Sequence, residues 1–393
     1  MIHNFNFASP TKFIFGHSAQ LNTAQELQAM GASRVFVHYG QSSVKESGLL
    51  DQVLGLLDDA GIEYTTCGGV RANPEVELVR EGIDIARTFQ TDYILAIGGG
   101  SVIDSAKAIS AGYYYDGDIW DAFNGSAAIT DFLPIACILT IPAAGSEGSR
   151  NTVISNDEVG AKLGYANEKL RPALAFMNPE LMYTLSPAQL ATGMVDMFSH
   201  SLERFFGSSD DFEITDNVAL SLMKTIYSQA LKLMENPQDY DACANIMWAG
   251  MLSHNGIAGC GRKEEWTTHA LEHELSALDP NVAHGAGLAV LFPAWMHFVH
   301  TQAPSRFAKF GREVFGIEDS GDDLRDARTA IRRTSEFFAE LGMPMSIEDL
   351  GLEFDEVKAV IPKLRINKGD TIGSLRVLSD EDILAIYALA SSS

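Results

Sequence analysis

"YILAIGGGSVIDSAKAIS", residues 93–110, opens as an apolar run, breaks on three glycines and a serine, and resumes as small and apolar residues at helical spacing. Such a stretch reads as a buried strand, a tight turn and a helix. Glycines at a strand end let backbone N–H groups approach an anion closely, and the following helix N-terminus adds partial positive charge. A pyrophosphate is a natural ligand for Gly98, Gly99, Gly100 and Ser101. The spelling is not G-x-G-x-x-G, and a turn of this composition also serves plain chain reversal.

The flanking sequence repeats the pattern. "RVFVHYG" (34–40) and "IEYTTCGGV" (62–70) read as strands, and "LPIACILTIPAAGSEGS" (133–149) as another buried strand ending in a small-residue turn. Between the first strands, residues 47–61 and 74–90 carry apolar side chains at helical spacing. Strand, helix, strand in succession means βαβ units and a parallel sheet. Ahead of them "NFNFASPTKFIFG" (4–16) reads as two short strands around a proline turn.

From about residue 187 the periodicity is helical throughout, as in "SPAQLATGMVDMFSHSLERFF" (186–206) and "WTTHALEHELSAL" (266–278). The expected organisation is an α/β domain over 1–186 and an all-helical domain over 187–393, with the boundary in "NPELMYTLSP" (178–187). A chain of 393 residues is long enough for two such cores.

A formal charge of −24 argues against nucleic acid or an anionic membrane as partner. There is no uninterrupted apolar run of about 18 residues and no signal-peptide pattern at the start. Cys67, Cys137, Cys243 and Cys260 are scattered and form no C-x-x-C pair, which fits a reducing cytoplasm.

A second strand-to-helix turn, Tyr39-Gly40-Gln41-Ser42-Ser43, carries no carboxylate, and Lys45 follows. An acidic residue here would hold the ribose 2′-OH of NAD; its absence beside a positive charge mildly favours NADP. A helix start capped by Ser42 or Ser43 explains the same residues without a ligand.

The helical half concentrates metal-binding side chains. Asp196 and His200 are spaced i, i+4 and share one helix face, and so do His269 and His273. His284 follows in "NVAHGAGLAV" (281–290). One carboxylate with several imidazoles suits Fe(II) or Zn(II). His269-Ala270-Leu271-Glu272-His273 also spells H-x-x-E-H, the inverted zincin motif, in which Glu272 would activate water in a peptidase. That reading leaves the glycine turn and the Asp196/His200 pair without a purpose. The remaining histidines, His3, His17, His38, His254, His297 and His300, read as surface or packing residues. Trp266, Phe198 and Leu271 fit either a pocket lining or the core.

Taken together, "FIFG", "YGQSSVKESGLLDQV", "GVRANP", "LAIGGGSVIDSAKAI", "TIPAAGSEGSRNTVIS", "TGMVDMFSHSLE" and "EEWTTHALEHELSALDPNVAHGAGLAVLFPAW" resemble the iron-containing (group III) alcohol dehydrogenases over essentially the whole chain. The resemblance is strongest to the branch of butanol dehydrogenases and broad-range aldehyde reductases. It implies a Rossmann-like dinucleotide-binding domain followed by an all-α metal-binding domain, the dehydroquinate synthase-like superfold. It also implies reversible hydride transfer between NAD(P)H and a primary alcohol or aldehyde whose oxygen is polarised by one divalent metal. A glycerol-dehydrogenase-like polyol oxidoreductase shares that superfold and is the alternative.

By the resemblance, the metal ligands are Asp196, His200, His269 and His284, while His273 faces nicotinamide and substrate. Gly98 to Ser101 hold the pyrophosphate, and Asp104 lies by the nicotinamide amide. Thr140, Ser146 and Lys162 are further cofactor contacts, Asn73 lies on the adenine side, and Tyr39, Gln41 and Ser42 read the ribose. Gln41 and Ser42 stand where many members of the branch have Gly-Gly, and Ala144 where many have Thr. A homodimer joined through the N-terminal strands is also implied.

Overall fold

The computed structural model describes residues 2–207 and 212–391. The chain divides into two compact units, Ala8–Leu185, and Ser186–Ser393 together with Met1–Phe7. The first seven residues thus belong with the helical unit, whereas the sequence boundary at 186/187 assigned them to the other. A backbone bond explains it: His3 N–H donates to Gly261 O at 2.9 Å.

The Ala8–Leu185 unit is built on a six-stranded sheet in the order β1-β8-β5-β4-β2-β3. Its strands are β1 (Lys12–Phe15), β2 (Arg34–Gly40), β3 (Glu63–Val70), β4 (Tyr93–Gly98), β5 (Ile135–Leu139) and β8 (Leu174–Met177). Every pairing in it is parallel. β4, β5 and β8 are buried along their whole length, as expected of parallel strands covered on both faces. Helices Leu49–Asp59, Val76–Phe89 and Gly100–Gly112 lie between the strands in sequence.

The order of the strands decides where a ligand belongs. From β2 the chain moves outward to β3, then returns to β4 on β2's other side and proceeds to β5. The strand order therefore reverses between β2 and β4, and ligands of open α/β sheets bind at the carboxyl ends of strands at that point. Tyr39 pairs with Ile97, so the turns after β2 and β4 emerge side by side. Gly98 is required there: a Cβ would lie 2.4 Å from Val102 Cγ2 on the following helix.

Two expectations are corrected. Residues 4–11 form no strand, and only Lys12–Phe15 of that region joins the sheet. Lys12 N–H donates to Ala173 O at 2.9 Å, whereas Phe5 and Phe7 stand exposed. Residues 151–177, which carry no expected element, hold an antiparallel hairpin, β6 (Asn151–Asn156) and β7 (Ala161–Ala166), and the buried strand β8. β6 and β7 mix polar and apolar residues and β8 spans only four, so no run stands out in the sequence.

The helical unit is organised around helix Pro187–Phe205. Ser186 and Gln189 form a capping box at its start, with Pro187 in the first turn. It packs against helices Glu213–Glu235, Tyr240–His254 and His284–Val299. Close approach to the last depends on Gly285, whose added Cβ would lie 2.2 Å from Thr192 O. Helix Thr267–Leu278 packs on His284–Val299 in turn. Phe198 sits among Phe310, Phe337 and Phe338, and Leu271 is wholly buried, so both belong to the core. No described helix is long and apolar enough to cross a membrane.

Candidate active site

Four side chains from three helices converge in the helical unit. Asp196 and His200 come from helix Pro187–Phe205, His269 from Thr267–Leu278, and His284 is the first residue of His284–Val299. Measured from Asp196 Oδ1, the Nε2 atoms of His200, His284 and His269 lie at 3.6, 3.7 and 3.8 Å. These separations are too long for hydrogen bonds. Donors about 2.1 Å from a tetrahedral cation lie about 3.4 Å from one another, so these distances from Asp196 Oδ1 suit a small divalent ion; Asp196, His200 and His269 also offer donors within 4.8 Å of one another, while His284 falls with Glu272 and His273 in a second such group. Asp196 Oδ1 and His269 Nε2 are buried and make no hydrogen bond. A carboxylate oxygen and an imidazole nitrogen left unpaired in an interior are costly unless a cation satisfies them.

Two buried carboxylates hold the imidazoles from behind. Glu203 Oε1 lies 2.9 Å from His269 Nδ1 and also accepts from His269 N–H and the Thr268 hydroxyl. Glu272 Oε2 pairs with His284 Nδ1, and its other oxygen accepts from Ser276 Oγ. Both glutamates are 0% exposed. A carboxylate on Nδ1 makes that nitrogen the donor and leaves the Nε2 lone pair directed inward. Burial opposes an imidazolium at His269, yet Asp196 and Glu203 outweigh it and push the group up to about 9, so a cation binds here by displacing the Nε2 proton. His200 is held well below the usual histidine range, first by burial and then by its positive neighbours.

Sequence reading missed part of this shell. Glu203 lies seven residues beyond Asp196 on the same helix, and a glutamate on a buried helix face was the available signal. His254, read as a surface or packing residue, sets its ring against that of His200, tilted by 37° with centroids 4.1 Å apart. Its Nδ1 accepts from Arg204 at 3.3 Å, and Arg204 lies over the Trp266 ring. No spacing rule links residue 254 to 200. Trp266 itself stands half-buried beside His200 and His269, with a left-handed backbone φ of 61°.

His273 is apart from this set. Its Nδ1 lies 3.1 Å from Lys368 Nζ and its ring centroid 5.6 Å from that of His284. An ammonium only donates, so Nδ1 is bare and the ring proton resides on Nε2. Glu272, the general base of the H-x-x-E-H reading, is committed to His284 instead, which removes the basis for a peptidase.

In the α/β unit, Gly98 ends β4, Gly99 is the single residue of the turn, and Gly100 and Ser101 open helix Gly100–Gly112. One turn along, Asp104 Oδ1 accepts from Ser146 Oγ at 2.5 Å and Oδ2 from Val153 N–H at 2.9 Å. Thr140 N–H donates to Gly98 O at 3.0 Å, so it adjoins the glycine turn. Lys162 lies on β7, opposite Ser155 of β6. Asn73 takes a positive φ of 58° just after β3. Tyr39 is the penultimate residue of β2, with Lys45 Nζ 5.1 Å above its ring, and Gln41 and Ser42 are exposed. Ser42 precedes the short helix Ser43–Glu46 but makes no side-chain cap bond, so capping does not account for it.

A parallel sheet with a glycine turn at its reversal point, in a chain that also gathers three imidazoles about one carboxylate, has the parts of a nucleotide-binding protein with a metal centre. Comparison with known proteins narrows the class. Residues 10–179 match the model of the iron-containing alcohol dehydrogenases, and residues 190–391 match that of the C-terminal region of the same family. The chain is 38% identical to NADH-dependent butanol dehydrogenase A of Clostridium acetobutylicum, over 98% of both chains. It is 34% identical to the NADPH-dependent aldehyde reductase YqhD of Escherichia coli, over 92% of this chain and 93% of that one. The crystal structure of NADH-dependent butanol dehydrogenase A from Thermotoga maritima superposes with a TM-score of 0.95 at 37% identity, covering 100% of this chain and 99% of that one. The chain therefore belongs to the iron-containing alcohol dehydrogenase family and is an oxidoreductase that works with NAD(P)H and a metal.

Proposed function

We propose that this protein reduces apolar primary aldehydes, and oxidises the corresponding alcohols, with Asp196, His200, His269 and His284 holding one Fe(II) or Zn(II). The observation that carries the reading is the set of three Nε2 atoms 3.6–3.8 Å from the unpaired Asp196 Oδ1. When bound, the metal supplies Lewis-acid polarisation of the substrate oxygen. Glu203 and Glu272 keep His269 and His284 oriented, and burial keeps His200 neutral and able to ligate. His273 carries its proton on Nε2 and serves as the donor to, or relay from, the reacting oxygen. Trp266 supplies the apolar wall beside the imidazoles.

On the cofactor side, Gly98 to Ser101 take the pyrophosphate at a helix N-terminus. Asp104 with Ser146, together with Thr140, Lys162 and Asn73, complete the grip, and Tyr39, Gln41 and Ser42 read the ribose. The turn after β2 lacks a carboxylate and has Lys45 beside Tyr39, which favours NADPH. Gln41 offers the 2′-OH of NAD a partner, and several relatives are named as NADH-dependent, so NADH is the second reading. A homodimer fits the edge position of β1, where Phe15 is exposed. Four unpaired cysteines fit the cytoplasm.

The test is oxidation of NADH and of NADPH, side by side, against a panel of aldehydes. Failure of both cofactors with every aldehyde sinks the proposal. Asp196→Ala should lose bound metal and turnover together while keeping its circular dichroism spectrum.

A further inference from the structure

Trp266 stands where a bulky side chain is least expected. Its φ of 61° lies in the left-handed region, which disfavours an aromatic residue and persists only where surrounding contacts over-determine it. The other described non-glycine residues with positive φ are Ser18, Asn73 and Gln90, none of them aromatic.

The contacts that hold Trp266 come from Arg204 and Glu264. Arg204 projects from helix Pro187–Phe205 one turn beyond His200, and its side chain is 3% exposed. The guanidinium carbon lies 4.8 Å from the Trp266 ring centroid. Arg204 Nε pairs with Glu264 Oε1 at 3.2 Å, and the other oxygen of that carboxylate accepts from the Trp266 indole N–H at 2.5 Å. The three side chains close a triangle: a cation on the ring face, an anion on the ring edge, and an ion pair between them. Other N–H groups of Arg204 donate to His200 O at 3.0 Å and to His254 Nδ1 at 3.3 Å, which fixes the guanidinium plane. Glu264 reaches its place over Gly259, where a Cβ would collide with Glu264 Oε1.

A guanidinium this close to a cation site opposes metal binding by like-charge repulsion, so its presence calls for another role. The indole supplies one. Its ring centroid lies 5.1 Å from that of His269 and 5.9 Å from that of His200. Arg204, His200 and His269 are buried, whereas Trp266 is only half-buried. Its uncovered surface borders the space beside those imidazoles, where the first carbons of a substrate lie. We propose that Trp266 is the specificity-determining residue for branching next to the carbonyl carbon, and that Arg204, with Glu264, is its positioning residue. A clamped indole admits an unbranched chain and excludes a substituent on the neighbouring carbon; a released one admits both. This rests on the reading of the protein as a metal-dependent aldehyde reductase.

The experiment compares kcat/KM of the metal-loaded enzyme for butanal and its branched isomer isobutanal in wild type, Trp266→Ala, Arg204→Met and the double variant. Wild type should prefer butanal by about tenfold or more, the worth of one misplaced methyl in an apolar pocket, and Trp266→Ala by about twofold or less. Arg204→Met should lower the wild-type preference about threefold or more and keep its bound metal; in the double variant it should add nothing to Trp266→Ala, because it acts through that residue. Near-UV circular dichroism gives a reading apart from turnover: the signal lost on Trp266→Phe should be smaller in an Arg204→Met background, with the far-UV spectrum unchanged. An unchanged preference in either single variant, additive effects in the double variant, or a wild type that takes both aldehydes equally overturns the inference. If Arg204→Met does not fold, Glu264→Gln, which keeps size and removes the charge paired with Arg204, decides by the same cycle. A wild type that reduces no aldehyde with either cofactor overturns the underlying reading instead.

Discussion

Replacing Glu272 by Gln tests the most unexpected feature of the site, a carboxylate that spells a peptidase base but holds a histidine. The substitution keeps size and one acceptor oxygen, and removes the charge that His284 Nδ1 and Ser276 Oγ meet. A hydrogen bond to a charged group in a fully buried position is worth about 1.5–3 kcal/mol. At 1.4 kcal/mol per factor of ten, His284 should ligate about ten- to a hundredfold less well, the span expected when a carboxylate behind a metal-bound histidine is lost. Metal affinity is read by competition with a chelating dye, and turnover by NAD(P)H oxidation as free metal is raised. Activity should fall at limiting metal and return when metal is in excess. Unchanged affinity refutes the reasoning. Unchanged affinity with activity that excess metal does not restore would mean that Glu272 moves a proton itself.

Asp216 lies fully buried between Arg262 and Arg306, each 2.6 Å away, so Asp216→Asn should cost about 3–5 kcal/mol in denaturant unfolding by stranding buried charge. Burial raises its carboxyl, but Arg306 and Arg262 lower it further, so this stabilisation is fully present above the ordinary carboxylate range and is lost as pH falls below that range through the lowered value of the folded carboxyl. Gly98→Ala would place a methyl 2.4 Å from Val102 Cγ2 and should cost about 1–3 kcal/mol by overpacking, read in the same unfolding experiment. Lys45→Ala should raise KM for NADPH about two- to fivefold, the worth of one exposed ion pair, and leave KM for NADH unchanged; equal effects on both cofactors would refute a role in reading the 2′-phosphate.

Apolar runs bounded by turn residues marked β2 to β5 and the glycine turn, and the 3.6-residue repeat marked the long helices. The hairpin β6–β7 and strand β8 escaped, since β6 and β7 mix polar and apolar residues and β8 spans only four. Spacing along the chain likewise paired Asp196 with His200 and His269 with His273, and local helical geometry explains why both pairs were legible. It could not divide the second pair: His269 stands 3.8 Å from Asp196 Oδ1, whereas His273 lies against Lys368, a residue 95 positions later. Nor could it join Arg204 to Glu264 and Trp266, which lie on a distant segment.

The sequence by itself therefore determined which residue types were available and on which helix face or strand end each would stand, because those are consequences of local backbone geometry. Tertiary structure alone decided their employment. Whether Glu272 serves as a base or holds a histidine, whether His254 fills space or backs His200, and whether the glycine turn meets another strand end depend on contacts between segments distant in the chain. Such contacts are set by packing, on which no short-range spacing bears.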